Sequence, residues 1–180
     1  MQKSTIKLTN HQLDFASSTE YPLLKHQIME QVGLLLHDTA NQLNDSDLFT
    51  TAQHWKVTRG ENYDKMPYLA LDFPSVSHKS FPVLYRTLFW WGHYFSLNLL
   101  VRRELLTKQR IRLSVPAYVL NGEDLWDNNV ERSYIKTAEI DLNSLQGEYV
   151  RIAQTFPISA YEQLNLAPDV YKNWKVDMGI

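Results

Sequence analysis

Residues 84–101, LeuTyrArgThrLeuPheTrpTrpGlyHisTyrPheSerLeuAsnLeuLeuVal, constrain the fold more than any other stretch of the chain. Their aromatic and aliphatic content suits extended chain on a pleated, buried surface. A single glycine divides the segment. Placing Gly92-His93 as a two-residue type II′ turn, which needs positive φ at its first position, pairs Trp91 with Tyr94, Trp90 with Phe95, Leu88 with Leu97, Arg86 with Leu99 and Leu84 with Val101. One face then carries Trp90, Phe95, Leu88, Leu97, Leu99, Leu84 and Val101, with Arg86 as its one polar member. The other carries Trp91, Tyr94, Ser96, Thr87 and Asn98. A sheet packed on one side requires such a separation. One long bent strand with Gly92 as a bulge is the alternative, and it too is extended.

The same period of two recurs on both sides. Trp55, Val57 and Arg59 alternate with His54, Lys56 and Thr58, and Leu69, Leu71 and Phe73 with Tyr68, Ala70 and Asp72; residues 60–64 between them read as a loop, making a hairpin. Ile111, Leu113, Val115, Ala117 and Val119 make a fifth strand, with Pro116 indicating an edge. A helix is expected from Pro22 to about Leu43, where Leu24, Ile28, Val32, Leu35, Leu36 and Leu43 recur at three- and four-residue steps. Gly33 inside it is costly unless another backbone packs against it. A short helix fits 102–109. Leu145, Tyr149, Ile152 and Phe156 form a helical stripe after Asn143, Ser159 to Glu162 reads as a capping box, and Pro168 restarts a last turn ending near Trp174. The expected fold is α+β: an antiparallel meander sheet of about five strands with helices packed on one face, in a single domain spanning residues 1–180.

Composition excludes several classes. The 18 Lys+Arg and 20 Asp+Glu give a formal net charge of -2, so no general attraction to nucleic acid or an anionic membrane is expected. With no cysteine there is no disulfide, thiolate nucleophile, iron–sulfur cluster or Cys-type zinc site. Residues 1–15 hold no apolar run resembling a signal peptide, and 88–101 is too short to span a bilayer, so the expected location is cytoplasmic. Histidines 11, 26, 37, 54, 78 and 93 match no metal spacing, and no GxGxxG, GxxxxGK or GxSxG motif occurs; neither a metal nor a cofactor is expected.

Several groups of side chains remain as site candidates. Arg59, Glu61, Asn62 and Tyr63 gather a cation, a carboxylate, an amide and a phenol near one turn: Arg59 can grip an anion, Glu61 can act as a base, and the plain alternative is an Arg59–Glu61 pair. Arg86 on an apolar face demands a carboxylate, either Asp72 or Glu61, or a bound anion. Trp91 and Tyr94 offer a contact surface, with Trp90 and Phe95 read as core. His93 in the proposed turn can move a proton, and Trp126 anchors a polar loop at 122–129. In that loop Glu123, Asp124, Asp127 and Asn129 are oxygen donors, but without the EF-hand spacing.

The succession ThrArgGlyGluAsnTyr at 58–63, ProTyr at 67–68, LeuAspPhePro at 71–74, ArgThrLeuPheTrpTrpGly at 86–92 and AspLeuTrpAsp at 124–127 resembles a group of uncharacterised bacterial proteins with no established activity. The resemblance covers the middle half of the chain and implies a bacterial cytoplasmic origin. It transfers no catalytic residue. Where that group has histidines after the loop tryptophan, this chain has Asn128 and Asn129.

Two functions fit these residues. One is a binding or scaffold domain, homo-oligomeric, with Trp91, Tyr94 and the 59–64 turn as its contact surface. The other is a small metal-independent enzyme on an anionic substrate, held by Arg59 and Arg86 and deprotonated by Glu61 or His93. A single concave pocket lined by Arg59, Glu61 and Arg86 favours the enzyme; an Arg86 capped by Asp72 disfavours it. Binding of single-stranded nucleic acid through the aromatics needs a basic groove that the charge balance does not promise.

Overall fold

The computed structural model describes residues 7–76, 81–120 and 124–180. Helix α1 (Asn10–Ser17) opens with a Thr9–Gln12 capping box and buries none of its residues. Helix α2 (Glu20–Asp45) follows, and its buried stripe is Met29, Val32, Leu36, Thr39, Ala40 and Leu43. Seven strands come next: β1 (Lys56–Tyr63), β2 (Met66–Phe73), β3 (Val83–Trp90), β4 (Tyr94–Arg102), β5 (Arg110–Leu120), β6 (Tyr134–Asp141) and β7 (Tyr149–Pro157). Between β5 and β6 lies the four-residue helix α3 (Val130–Ser133), and a 3-10 segment at Ile158–Leu166 leads into helix α4 (Ala167–Met178). The strands form one antiparallel sheet in the order β1-β2-β3-β4-β7-β5-β6. The class is α+β as expected, but the sheet has seven strands where about five are legible in the sequence.

Both additional strands lie in the C-terminal part. The stripe from Leu145 to Phe156 is not helical: Tyr149–Pro157 is β7, inserted between β4 and β5 at the middle of the sheet. Such a strand is buried on both faces, so it lacks the polar alternation that marks a strand, and spacings of three and four arise in it by chance. With β7 and β6 present, β5 is interior, so Pro116 is not on an edge; it falls in the irregular stretch between Arg112 and Ala117, where the pairing with β6 shifts register. Ser159 to Glu162 form no side-chain cap, since this stretch is 3-10. The short helix expected at 102–109 shrinks to one 3-10 turn at Arg103–Leu105.

Both hairpins differ from expectation in a way that matters for the site. Residues 60–63 belong to β1, and the turn is Asp64-Lys65, both at positive φ (50 and 67°), as a two-residue type I′ turn requires. The β3–β4 turn has three residues, Trp91-Gly92-His93, with Gly92 at φ 76°. Trp90 therefore pairs with Tyr94, Phe89 with Phe95 and Arg86 with Asn98, a slip of one residue from the two-residue register. A one-residue slip exchanges the faces. Phe95, Leu97, Leu99 and Val101 now share a face with Phe89 and Tyr85 under α2 and α4. Trp90, Leu88 and Tyr94 lie on the opposite face against Val130 and Tyr134.

The helix-side core joins Leu36, Ala40 and Leu43 of α2, Tyr171 and Trp174 of α4 and the facing strand residues. The other face is closed by the segment 124–133, a strap that includes α3, and by smaller clusters around Trp90 and Phe81. Among the described residues, no helix is long and apolar enough to cross a membrane.

Candidate functional site

The register places Asp72, Arg86 and Asn98 in one row across β2, β3 and β4, on the strap side of the sheet. Arg86 is therefore not stranded among apolar neighbours. Its Nε and Nη2 donate to the two Asp72 oxygens at 2.6 and 2.8 Å, so the expected carboxylate partner is Asp72. The Trp126 indole lies over the guanidinium, with its ring centre 4.3 Å from Cζ. Among the described residues Nη1 has no acceptor.

The strap is tied down by groups from the sheet. Arg151 on β7 is 1% exposed. It donates from Nη1 to the backbone oxygens of Leu125 (2.6 Å) and Asp127 (3.0 Å), and from Nε and Nη2 to Asn98 Oδ1 (3.3 and 2.8 Å). Burial lowers its pKa from the ordinary guanidinium value, a cost opposed by these acceptors. The Tyr94 hydroxyl donates to Asn128 O (2.8 Å) and accepts from Val130 N (2.9 Å), and burial pushes its pKa up to about 12. The Tyr63 hydroxyl donates to the Asp127 carboxylate and accepts from the backbone N–H of Asn128 (2.9 Å) and Asn129 (3.2 Å). Its own pKa is raised, first by burial and then by Asp127. Burial alone would raise the pKa of Asp127. Bonds from Ser133, Tyr63 and the Asn129 N–H outweigh it, and the carboxyl stays below its ordinary value.

Between the strap and strands β1 to β3 this leaves a cleft of about 420 Å³. Thr58, Tyr63 and Tyr68 form its wall, Ala70 and Arg86 its floor, and Asp124, Trp126 and Asn128 the strap side. Tyr68 reaches its position because residue 60 is glycine: a Cβ there would stand 2.1 Å from Tyr68 Cε1. Asn128 is 6% exposed, and its Oδ1 is enclosed without a hydrogen-bond partner among the described residues.

Of the residues singled out from the sequence, Tyr63, Arg86 and Trp126 converge on this cleft. Arg59 and Glu61 do not. They project from the helix side of β1 and pair separately with α2, Arg59 with Glu30 at 3.0 Å and Glu61 with Lys25 at 2.6 Å, instead of with each other. Lys25 lowers the pKa of Glu61, the reverse of what a general base needs. Asn62 is exposed on β1. Trp91 sits in the turn with its ring 6.1 Å from Phe89, and His93 is exposed and stacked on Trp90 at 3.5 Å. Tyr94 is on the face away from Phe95, as expected, but the strap covers that face, so it offers no contact surface. Of the loop oxygens, those of Asp127 are taken up by hydrogen-bond donors, Glu123 and His78 lie outside the described residues, and no group of three potential metal ligands occurs among those described.

Arg151, Asn128 and Tyr68 escape sequence reasoning. Arg151 carried the same signal as Arg86, a cation in an apolar run (ValArgIleAla), but that run reads as helix in isolation.

A second depression of about 470 Å³ runs between α2 and residues 158–161, lined by Leu24, Ile28, Leu35, Phe95, Ile158 and Tyr161 with two glutamines beside them. It gathers no charged group. Comparison of the chain with protein-family models, with curated proteins and with solved structures gives no match.

Proposed function

We propose that this chain is a non-catalytic binding domain whose ligand occupies the cleft beneath the strap. One observation carries the reading: the cleft walls are held by bonds internal to the protein, yet Arg86 Nη1 and the Asn128 amide, both on its lining, have no partner among the described residues. A buried polar atom unpaired among the described residues, as Asn128 Oδ1 is, beside an unpaired donor open to the cleft, as Arg86 Nη1 is, is a usual mark of a binding site. The enzyme alternative has less support, because its acid–base candidates Glu61 and His93 stand outside the cleft and Arg86 is capped by Asp72. A bacterial cytoplasmic setting belongs to the same reading and rests on the resemblance carried by residues 58–127.

Titrating ¹⁵N-labelled protein with a metabolite library tests this. Binders are expected to move the Tyr68, Asn128 and Trp126 signals first. A library whose hits leave those signals unmoved, or that yields no hits, removes the reading.

Contact between copies is a second element, favoured by a different face. Leu13 and Phe15 of α1 and Leu23, Leu24 and Leu34 of α2 are all exposed, and an eight-residue helix with no buried residue is marginal unless something packs on it. The reading assigns a second copy to this surface, in place of the Trp91 and Tyr94 patch. Sedimentation should show a dimer that Phe15→Ser weakens; a monomer at all concentrations removes it.

A further inference from the structure

The charges and the open hydrogen-bond positions of the cleft together restrict what can fill it. Arg86 is the cation on the lining, and both oxygens of Asp72 already face its nitrogens. Asp124 on the strap adds a carboxylate. An anion entering the cleft gives up hydration and meets no uncompensated positive charge. A cation enters beside the guanidinium and competes for the indole face that Arg86 already covers. A neutral ligand avoids both penalties.

The open positions are a donor pair and an amide. Arg86 Nη1 keeps its N–H groups free, and Asn128, more than nine-tenths buried, has neither amide end paired among the described residues. Because the two ends of a primary amide are alike in size, rotation of the terminal torsion presents either Oδ1 or Nδ2 to the cleft, an acceptor or a donor as needed. Around them stand flat surfaces, the Trp126 indole (41% exposed) and the Tyr68 ring held against Gly60. A volume of about 420 Å³ suits one or two fused rings.

We infer that the cleft binds a neutral, planar nitrogen heterocycle with an amide-type edge, a ring C=O beside an N–H. The carbonyl accepts from Arg86 Nη1, the N–H and its neighbour pair with the Asn128 amide, and the ring lies against Trp126. This rests on the cleft being the ligand site, and its test separates the two claims.

The probes are uracil, hypoxanthine and nicotinamide, set against inorganic phosphate, citrate and tetramethylammonium, each titrated into the labelled protein. At least one heterocycle is expected to move the Asn128 and Trp126 signals about tenfold or more tighter than any of the three ions, as sites built around paired polar groups discriminate. Asn128→Leu should weaken that binding about tenfold or more while Tm holds or rises, because the side chain it removes has no protein partner. Undiminished binding to Asn128→Leu overturns the role of Asn128; should that variant melt lower or fail to fold, Asn128→Ser is read for binding instead, and undiminished binding to it overturns the role. Citrate, phosphate or tetramethylammonium binding best in the cleft overturns the ligand class and leaves the site standing. If no probe and no library compound moves the cleft signals, the site itself falls.

Discussion

On the helix side of the sheet, Leu36, Leu71, Phe73 and Leu99 meet with almost no polar atoms between them, whereas on the strap side the Asp72, Arg86 and Asn98 row and Arg151, diagonal to it on β7, form a polar group under the 124–133 segment. Both faces are closed, by different physics. Apolar burial is non-directional; hydrogen bonds are directional and saturate one position at a time. A face closed by directional bonds can keep a cavity lined by unfilled hydrogen-bond positions. The hollow left on the face closed by side-chain volume, between α2 and Phe95, gathers no charged group. The candidate site lies on the side where closure depends on bonds, and there Asn98 accepts from Arg151 at Oδ1 while its Nδ2 donates to the Arg86 backbone oxygen at 3.2 Å.

If the contrast holds, truncations on the two sides should differ in kind. The largest effect is expected from Asp72→Ala, which leaves the Arg86 guanidinium largely buried and unpaired, at about 3–5 kcal/mol. The double variant Asp72→Leu/Arg86→Met should recover most of it in a denaturation experiment. Leu36→Ala, fully buried under the sheet, should cost about 2–5 kcal/mol with no such rescue available. Equal rescue on both sides, or none on either, breaks the comparison.

A smaller effect, confined to the strap, follows from Asp127. Its folded pKa lies below the ordinary 3.8, so the bonds it accepts stabilise the docked strap fully above that value and are lost as pH falls through the lower, folded value. Protection of the Asn128 and Val130 amides, which donate to Tyr63 and Tyr94, measured relative to the intrinsic exchange rate at each pH, should fall in that acid range before that of the α2 amides does. Simultaneous loss of protection means that the two sides open as one unit.

The smallest effect sharpens the helix side. A Cβ on Gly33 meets nothing within 4 Å, so no close backbone approach explains the glycine, and Gly33→Ala should stabilise by about 0.4–1 kcal/mol in thermal unfolding. Loss of stability there would indicate a contact that the isolated chain does not make, such as a second copy on α2.

Much of the architecture is readable from single residues and their spacing. The long helix is expected at Pro22 to Leu43 and found at Glu20–Asp45; the extended run through residues 84–101 is found as β3 and β4; and the need of Arg86 for a carboxylate is met by Asp72. The misreadings have two causes. Strand β7 hides because central strands have no polar side, and Arg151 hides with it. The exchange of faces in β3 and β4 turned on whether Gly92 belongs to a two- or three-residue turn, both compatible with its positive φ. Tyr63, Arg86 and Trp126 were each legible as site residues, but their meeting in one cleft was not, since residues 63, 86 and 126 come from two strands and a loop.

Residue chemistry and period were therefore enough for the class, the extended middle, the long helix and the demand that a buried arginine be paired. Register, strand order and the docking of the strap emerge only on assembly. They depend on contacts between segments far apart in the chain, such as Arg151 with Leu125 and Tyr63 with Asp127, whose energies no local window contains. The cleft exists because of those contacts, and so does the unpaired amide of Asn128 within it.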